Sequence, residues 1–210
     1  MTELTLYNYE LDENCYRVRL LLTFLGIKPR LIAVNVFPGG ETATPAYRAL
    51  DPEGRLPLLD DGGAIIADVP AILTHLARHH DPEQRWLPPD PQRAAAITGW
   101  LTFLTQRLAP ATAARSAAIF GLPGDENALR RQAREALNAM EDHRIERAIE
   151  GEDWFAGPSP TLADIALFPA FALCRDYGID HDGFPALRRW ARLFRQLPGF
   201  TAMPGIPDYH

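Results

Sequence analysis

The chain has 210 residues, 47% of them hydrophobic and 23% charged, with a formal net charge of −6. That length suffices for one or two domains with full cores, and the acidic balance argues against a general nucleic-acid binder. Cys15 and Cys174 have no metal-ligand or disulfide-framework spacing, "MTELTLYNYE" lacks the apolar stretch of a signal peptide, and no apolar run reaches the ~20 residues of a membrane span, so a cytoplasmic protein with no membrane or nucleic-acid partner is expected.

The elements read as follows in chain order. "LTLY" is a short strand, and "CYRVRLLLTFLG" has helical apolar spacing that ends at Gly26, a C-cap residue. "RLIAVNV" predicts a second strand and "PAYRALDPEG" a short helix or turn. "RLPLLDDGGAIIAD" reads as two short strands joined across Asp61, Gly62 and Gly63. "VPAILTHLARHH" is a helix with Pro70 in its first turn. The order is βαβ, then ββα. "DPEQRWLPPDP", with four prolines, is the best linker in the chain. Beyond it the patterns are helical: residues 92 to 121, bent near Pro110; residues 125 to 150; "SPTLADIALFPAFALC"; and "FPALRRWARLFRQL". The tail "PGFTAMPGIPDY" is extended. The expected division is therefore an α/β domain at 1–80, a linker at 81–91 and an all-α domain at 92–210.

Several residues invite a chemical reading. Pro57 stands where a strand should begin, although proline removes a ladder donor. It marks either an edge or turn, or a cis Leu56–Pro57 bond that turns the backbone toward a ligand. Thr161 and Asp164 have capping-box spacing, a folding signal with no function attached. The loop before the first helix carries Asp12, Glu13, Asn14 and Cys15, although a helix N-terminus favours an incoming anion. His75 and His79 have i, i+4 spacing that could hold a metal. No carboxylate or thiol stands at a matching sequence position, so no metal is expected. Trp100, Phe103 and Arg107 share one helical stripe, which suits core packing, a subunit contact or a pocket wall.

Taken in this order, these features resemble the soluble glutathione transferase family across nearly the whole chain. "LYNYELDENCYRVRLLL" aligns without a gap on the zeta-like opening "LYSYxRSSCSxRVRxAL", and on a bacterial pattern "LYxYxLSGNCYKVRLLL" whose members often close with a "PGFVxMPG" tail, as "PGFTAMPG" does here. The resemblance implies a thioredoxin-like N-terminal domain with a cis-proline before the third strand. It also implies a helical domain with a buried S/T-x-x-D cap, a homodimer, and glutathione as co-substrate. On that pattern the thiol-activating serine falls on Asp12. An ionised Asp12 cannot donate, and its charge opposes a thiolate. The remaining donors are Asn14 and Cys15; Cys15 would donate weakly or form a mixed disulfide if it faces the site, or else pack as a small buried residue. The family's E/Q–S pair, which grips the γ-glutamyl end, reads Asp68–Val69 here. The acid is one methylene shorter and the hydroxyl is lost, while the N–H of Val69 remains. The backbone of Leu56 before Pro57 would pair with the cysteinyl unit, and Arg55 could face the glycyl carboxylate. Trp100, Phe103 and Arg107 would line the electrophile pocket. The implied activity is conjugation or exchange of glutathione on a small electrophile, with weak or altered glutathione binding. A second reading is a non-catalytic binding protein on the same scaffold, and a minor third is thiol–disulfide exchange through Cys15.

Overall fold

Leu4, Leu6 and Asn8 are buried and alternate with half-buried Thr5 and Tyr7, the period-two pattern of a strand covered on one face. This is β1 (Leu4–Asn8) of a computed structural model that describes residues 4–208. The chain divides into Met1–Pro82 and Glu83–His210, inside the proline-rich segment.

In the first unit β1 is followed by α1 (Glu13–Phe24), β2 (Arg30–Ala33), a 3-10 turn at Glu41–Ala43 and α2 (Pro45–Arg48). Then come β3 (Leu58–Asp61), β4 (Ala64–Ile66) and α3 (Val69–His79). α1 ends where expected. Ile27 N–H donates to Leu22 at 2.9 Å across Gly26, whose φ of 70° glycine adopts without the steric cost of a Cβ. The sheet order is β2-β1-β3-β4, with β1/β2 parallel and the other pairs antiparallel. Gly62 and Gly63, both at positive φ, close the β3–β4 hairpin. α1 and α3 pack together. Leu20, Leu21, Leu73 and Leu76 from these helices are fully buried, as are Leu6 and Leu59 of the sheet.

The second unit has no named strand among its described residues. It comprises α4 (Pro91–Gln106), α5 (Ala109–Phe120), α6 (Glu126–Ile149), α7 (Leu162–Ala172) and α8 (Pro185–Arg195). The single bent helix expected over 92 to 121 is in fact two helices. Pro110 can offer no N–H to Gln106, so α4 closes with Leu108 N–H on Phe103 O, and α5 starts afresh with Pro110 in its first turn. Every residue of α7 is buried, as befits a helix apolar all round. The two cysteines are free and buried.

α7 carries the capping box expected from Thr161 and Asp164. The carboxylate does more than close that box. Asp164 Oδ2 accepts Thr161 N–H at 2.8 Å and Thr161 Oγ1–H at 3.2 Å. Oδ1 accepts Trp190 Nε1–H of α8 at 2.9 Å and Phe155 N–H at 3.2 Å. One fully buried acid thus ties α7 to α8 and to the loop before it. A similar device seats α8. The Glu141 oxygens of α6 each accept one N–H, from Ala186 and Leu187, at 2.8 Å, in place of a local N-cap. Phe200 of the extended tail packs edge-on against Phe168 and Phe194, at 5.5 and 6.0 Å between ring centroids.

Since all four groups facing Asp164 are donors, Asp164→Asn turns an NH₂ against two of them. The expected cost is about 3 kcal/mol or more, a fall in Tm of roughly 6–12 °C, and Asp164→Ala should cost at least as much. Thermal unfolding followed by circular dichroism checks this. An unchanged Tm would refute the anchoring role.

Candidate functional site

Register decides what meets at the sheet's edge. β1 runs out at Asn8, and antiparallel β3 begins beside it, with Leu58 opposite Tyr7. β4 returns to the same end, with Ile66 opposite Leu59. Parallel β2 also ends there, with Ala33 opposite Asn8. The start of α1, the Leu56–Pro57 step and the residues leading into α3 therefore converge on one edge of the first unit.

At the start of α1, Asp12 is the N-cap. Its Oδ1 accepts Cys15 N–H at 2.7 Å, and its carbonyl accepts Tyr16 N–H. Burial pushes its pKa up, the Cys15 N–H bond opposes that, and neighbouring Glu13 adds to the rise. Glu13 itself turns inward and pairs with buried Arg17 at 3.2 Å. Arg17 also donates to Asn14 Oδ1 at 2.8 Å. That bond orients the Asn14 amide and leaves Nδ2 as its donor end.

Cys15 corrects one expectation. Its thiol has no exposed surface and accepts Tyr9 N–H at 3.4 Å. Burial first, and Asp12 second, push its pKa well above that of a free thiol. An enclosed thiol of this kind suits a packing residue and presents no surface for a mixed disulfide.

The Leu56–Pro57 bond is cis, and so is Phe37–Pro38, for which the sequence held no signal. Half-buried Leu56 packs against Val34, Tyr47 and Leu58. Tyr47 was not foreseen. Its hydroxyl donates to Arg55 O at 2.7 Å and so holds the segment before the cis bond; burial pushes its pKa up, which keeps it a donor.

Arg55 is a second correction, because its charge is already engaged. Its N–H and guanidinium grip buried Asp51 at 2.6–3.2 Å. Its Nη1 holds Asp68 at 2.8 Å, and Glu53 lies 3.4 Å away. The Arg55 bonds hold the Asp51 carboxyl below its usual range. Arg55 is thus a clamp between the approach to β3 and the start of α3, rather than a free cation. Asp68, the residue before α3, has φ 67° and ψ 126°, a conformation uncommon for a residue with Cβ. Its carboxylate makes no cap bond; it reaches Arg55 and is 61% exposed. Val69 buries its side chain in the core. Its N–H is at the first helical position, where no intrahelical acceptor exists.

Trp100 and Phe103 of α4 and Arg107, its C-cap, form a chain of ring contacts within the second unit. Trp100 and Phe103 lie 5.1 Å apart, and the Arg107 guanidinium sits 5.6 Å from the Phe103 ring centre. Trp100 turns toward His143 and Phe155, at 4.7 and 4.8 Å. There it lines a cavity of about 280 Å³ with Arg93, His143 and Arg147. Phe103 and Arg107 are not among its walls.

Two family models match the chain: the glutathione S-transferase N-terminal domain over residues 6–84 and the C-terminal domain over 110–193. A maleylacetoacetate isomerase of Pseudomonas aeruginosa is 30% identical over 93% of this chain and 92% of its own length. A zeta-class glutathione S-transferase of Euphorbia esula is 28% identical over 96% of this chain and 90% of its own. The crystal structure of a possible glutathione S-transferase from Rhodopseudomonas palustris superposes with a TM-score of 0.84 at 29% identity, covering 98% of this chain and 91% of that one. Domain order, sheet topology and these likenesses agree: the chain belongs to the glutathione S-transferase family and is related to its zeta class.

Proposed function

We propose that the first unit holds glutathione along the edge where β3 begins, and that the protein conjugates it to, or exchanges it on, a small electrophile. The observation that carries this reading is the cis Leu56–Pro57 step lying at the same sheet end as the starts of α1 and α3, in a chain of this family. The backbone of Leu56 pairs with the cysteinyl unit in the manner of a short strand. Asn14 Nδ2, steadied through Arg17, and the first turn of α1 donate to the sulfur as it becomes a thiolate. The Asp68 carboxylate, held by Arg55, meets the ligand's α-ammonium, and Val69 N–H meets the neighbouring carboxylate. In the second unit, half-buried Phe103 of α4 and exposed Arg107, its C-cap, are assigned to the electrophile. Trp100 has a packing role in its aromatic cluster. Assembly as a homodimer belongs to the same reading; a stable monomer in sedimentation at micromolar concentration counts against it.

Asp12 sets the pH behaviour. Ionised, it opposes a thiolate at the same helix end. That penalty is present above its raised pKa and is relieved as pH falls through it. Asp12→Ser keeps an N-cap side chain, supplies a hydroxyl donor and removes the charge. It should lower the pKa of bound thiol by about one unit and raise conjugation of an aryl halide at neutral pH by about tenfold. Asn14→Ala should slow conjugation. Rates against pH for the three proteins, together with calorimetric titration of glutathione, test the proposal. Absent binding and near-zero rates in all three would overturn it.

The missing hydroxyl at Val69 gives a further expectation. Val69→Ser restores one charge-assisted hydrogen bond and should tighten glutathione binding by about tenfold, with some loss of stability because the side chain is buried. Calorimetry reads the affinity, and an unchanged Kd would argue against γ-glutamyl contact at α3.

A further inference from the structure

We propose that Asp61, His75 and His80 form a site for a divalent first-row transition metal, Zn²⁺ foremost. His75 Nε2 and His80 Nε2 lie 2.8 and 2.9 Å from the same carboxylate atom, Asp61 Oδ2. All three ligand atoms fall within 4.8 Å of one another. A metal ~2.0–2.1 Å from each atom, with ligand angles of about 90–110°, would space them about 2.9–3.4 Å apart. The two Asp61–His distances therefore need to open by at most about half an ångström. Two imidazoles and one carboxylate suit Zn²⁺, Co²⁺, Ni²⁺ or Cu²⁺, and suit Mg²⁺ or Ca²⁺ poorly.

The placement depends on how two elements end. Asp61 is the last residue of β3, at the Gly62–Gly63 turn. On a regular helix, five residues would carry His80 about 500° round, or about 140° from His75, onto another face. α3 stops at His79 instead, and His80 takes φ −126° and ψ 3° as its C-cap, which returns the ring to the His75 side. His79, the i+4 residue that the sequence spacing favours, lies tilted against His75 with ring centroids 4.6 Å apart and is exposed. The carboxylate missing from the sequence pattern comes from another element. The Asp61, His75 and His80 side chains are 13%, 24% and 19% exposed, enclosed enough to be held and open enough for an ion to enter. As metal ligands each ring would carry its proton on Nδ1 and turn the Nε2 lone pair to the metal. Three protein ligands leave room for water at the remaining positions. The ion would clip the β3–β4 hairpin to the end of α3.

The site does not depend on the glutathione reading. Asp61 pairs with Leu4, at the sheet end opposite the Tyr7–Leu58 edge. The test uses chelator-stripped protein without a polyhistidine tag and without glutathione. Titration with ZnCl₂, CoCl₂ and MgCl₂ is followed by calorimetry, thermal unfolding and, for Co²⁺, visible absorption. The expected result is one Zn²⁺ or Co²⁺ per chain. Tm should rise by about 5–10 °C at a hundredfold excess over Kd, with no response to Mg²⁺. Asp61→Asn and His80→Gln should each weaken Zn²⁺ binding by at least tenfold, and His143→Gln should leave it unchanged. Absence of saturable transition-metal binding, or binding that survives both Asp61→Asn and His80→Gln, would overturn the proposal.

Discussion

Antiparallel pairing of β1 with β3, with Tyr7 set opposite Leu58, is the constraint on which the chemistry of the first unit rests. Leu6 and Leu59 are fully buried opposite one another. A slip of β3 by one residue would turn Leu59 to the opposite face while Leu6 stayed inward, so burial of this pair favours the register. The register then brings the Leu56–Pro57 step beside the end of β1, and with it the start of α1. The β3–β4 hairpin adds the approach to α3. No side chain at this edge needs to attract another to achieve the arrangement. It follows from strand pairing.

Within that frame, charge is the deciding quantity. The start of α1 favours an anion, and Asp12 already supplies one through its bond to Cys15 N–H. A thiolate would be the second anion at the same helix end. The neighbouring acids are otherwise answered locally: Glu13 by Arg17, and Asp51 and Asp68 by Arg55. Arg55 holds both Asp51 and Asp68, which explains how Asp68 can keep an uncommon backbone conformation while its carboxylate stays exposed. The same guanidinium is shared among Asp51, Glu53 and Asp68.

Features set by near neighbours were legible in the sequence. The strand–helix order, the Gly62–Gly63 hairpin, the end of α1 at Gly26 and the Thr161–Asp164 capping box all depend on residues a few positions apart. What escaped depends on tertiary proximity. Trp190 donates to Asp164 from 26 residues away, and Asp61 meets His75 from 14 residues away on a different element. Arg55 misled for a related reason. Its partner Asp51 is only four residues earlier, but the pair closes around a turn at Gly54, φ 68°, and helical or strand periodicity says nothing about such a loop. The break between α4 and α5 was half visible: Pro110 marked the place, but the sequence did not distinguish a bend from a stop.

The departures at Asp12 and Val69 act in one direction. Each replaces a hydroxyl that the family pattern places at a helix start, so anionic groups at this edge are left to backbone N–H and to the helix ends. Helix-end interactions contribute only about 0.3–1 kcal/mol each, and a simple anion would find little else to hold it. A peptide-like ligand with an ammonium group fares differently. On the proposed reading its backbone would pair beside Leu56 like an added strand, and its cationic end would meet the Asp68 carboxylate that Arg55 holds. On the proposed reading, the acidic edge thus selects for the zwitterionic head and extended backbone of glutathione more than for the charge of its thiolate. The same chemistry makes binding easier to retain than activation, because the group that must become negative lies closest to Asp12.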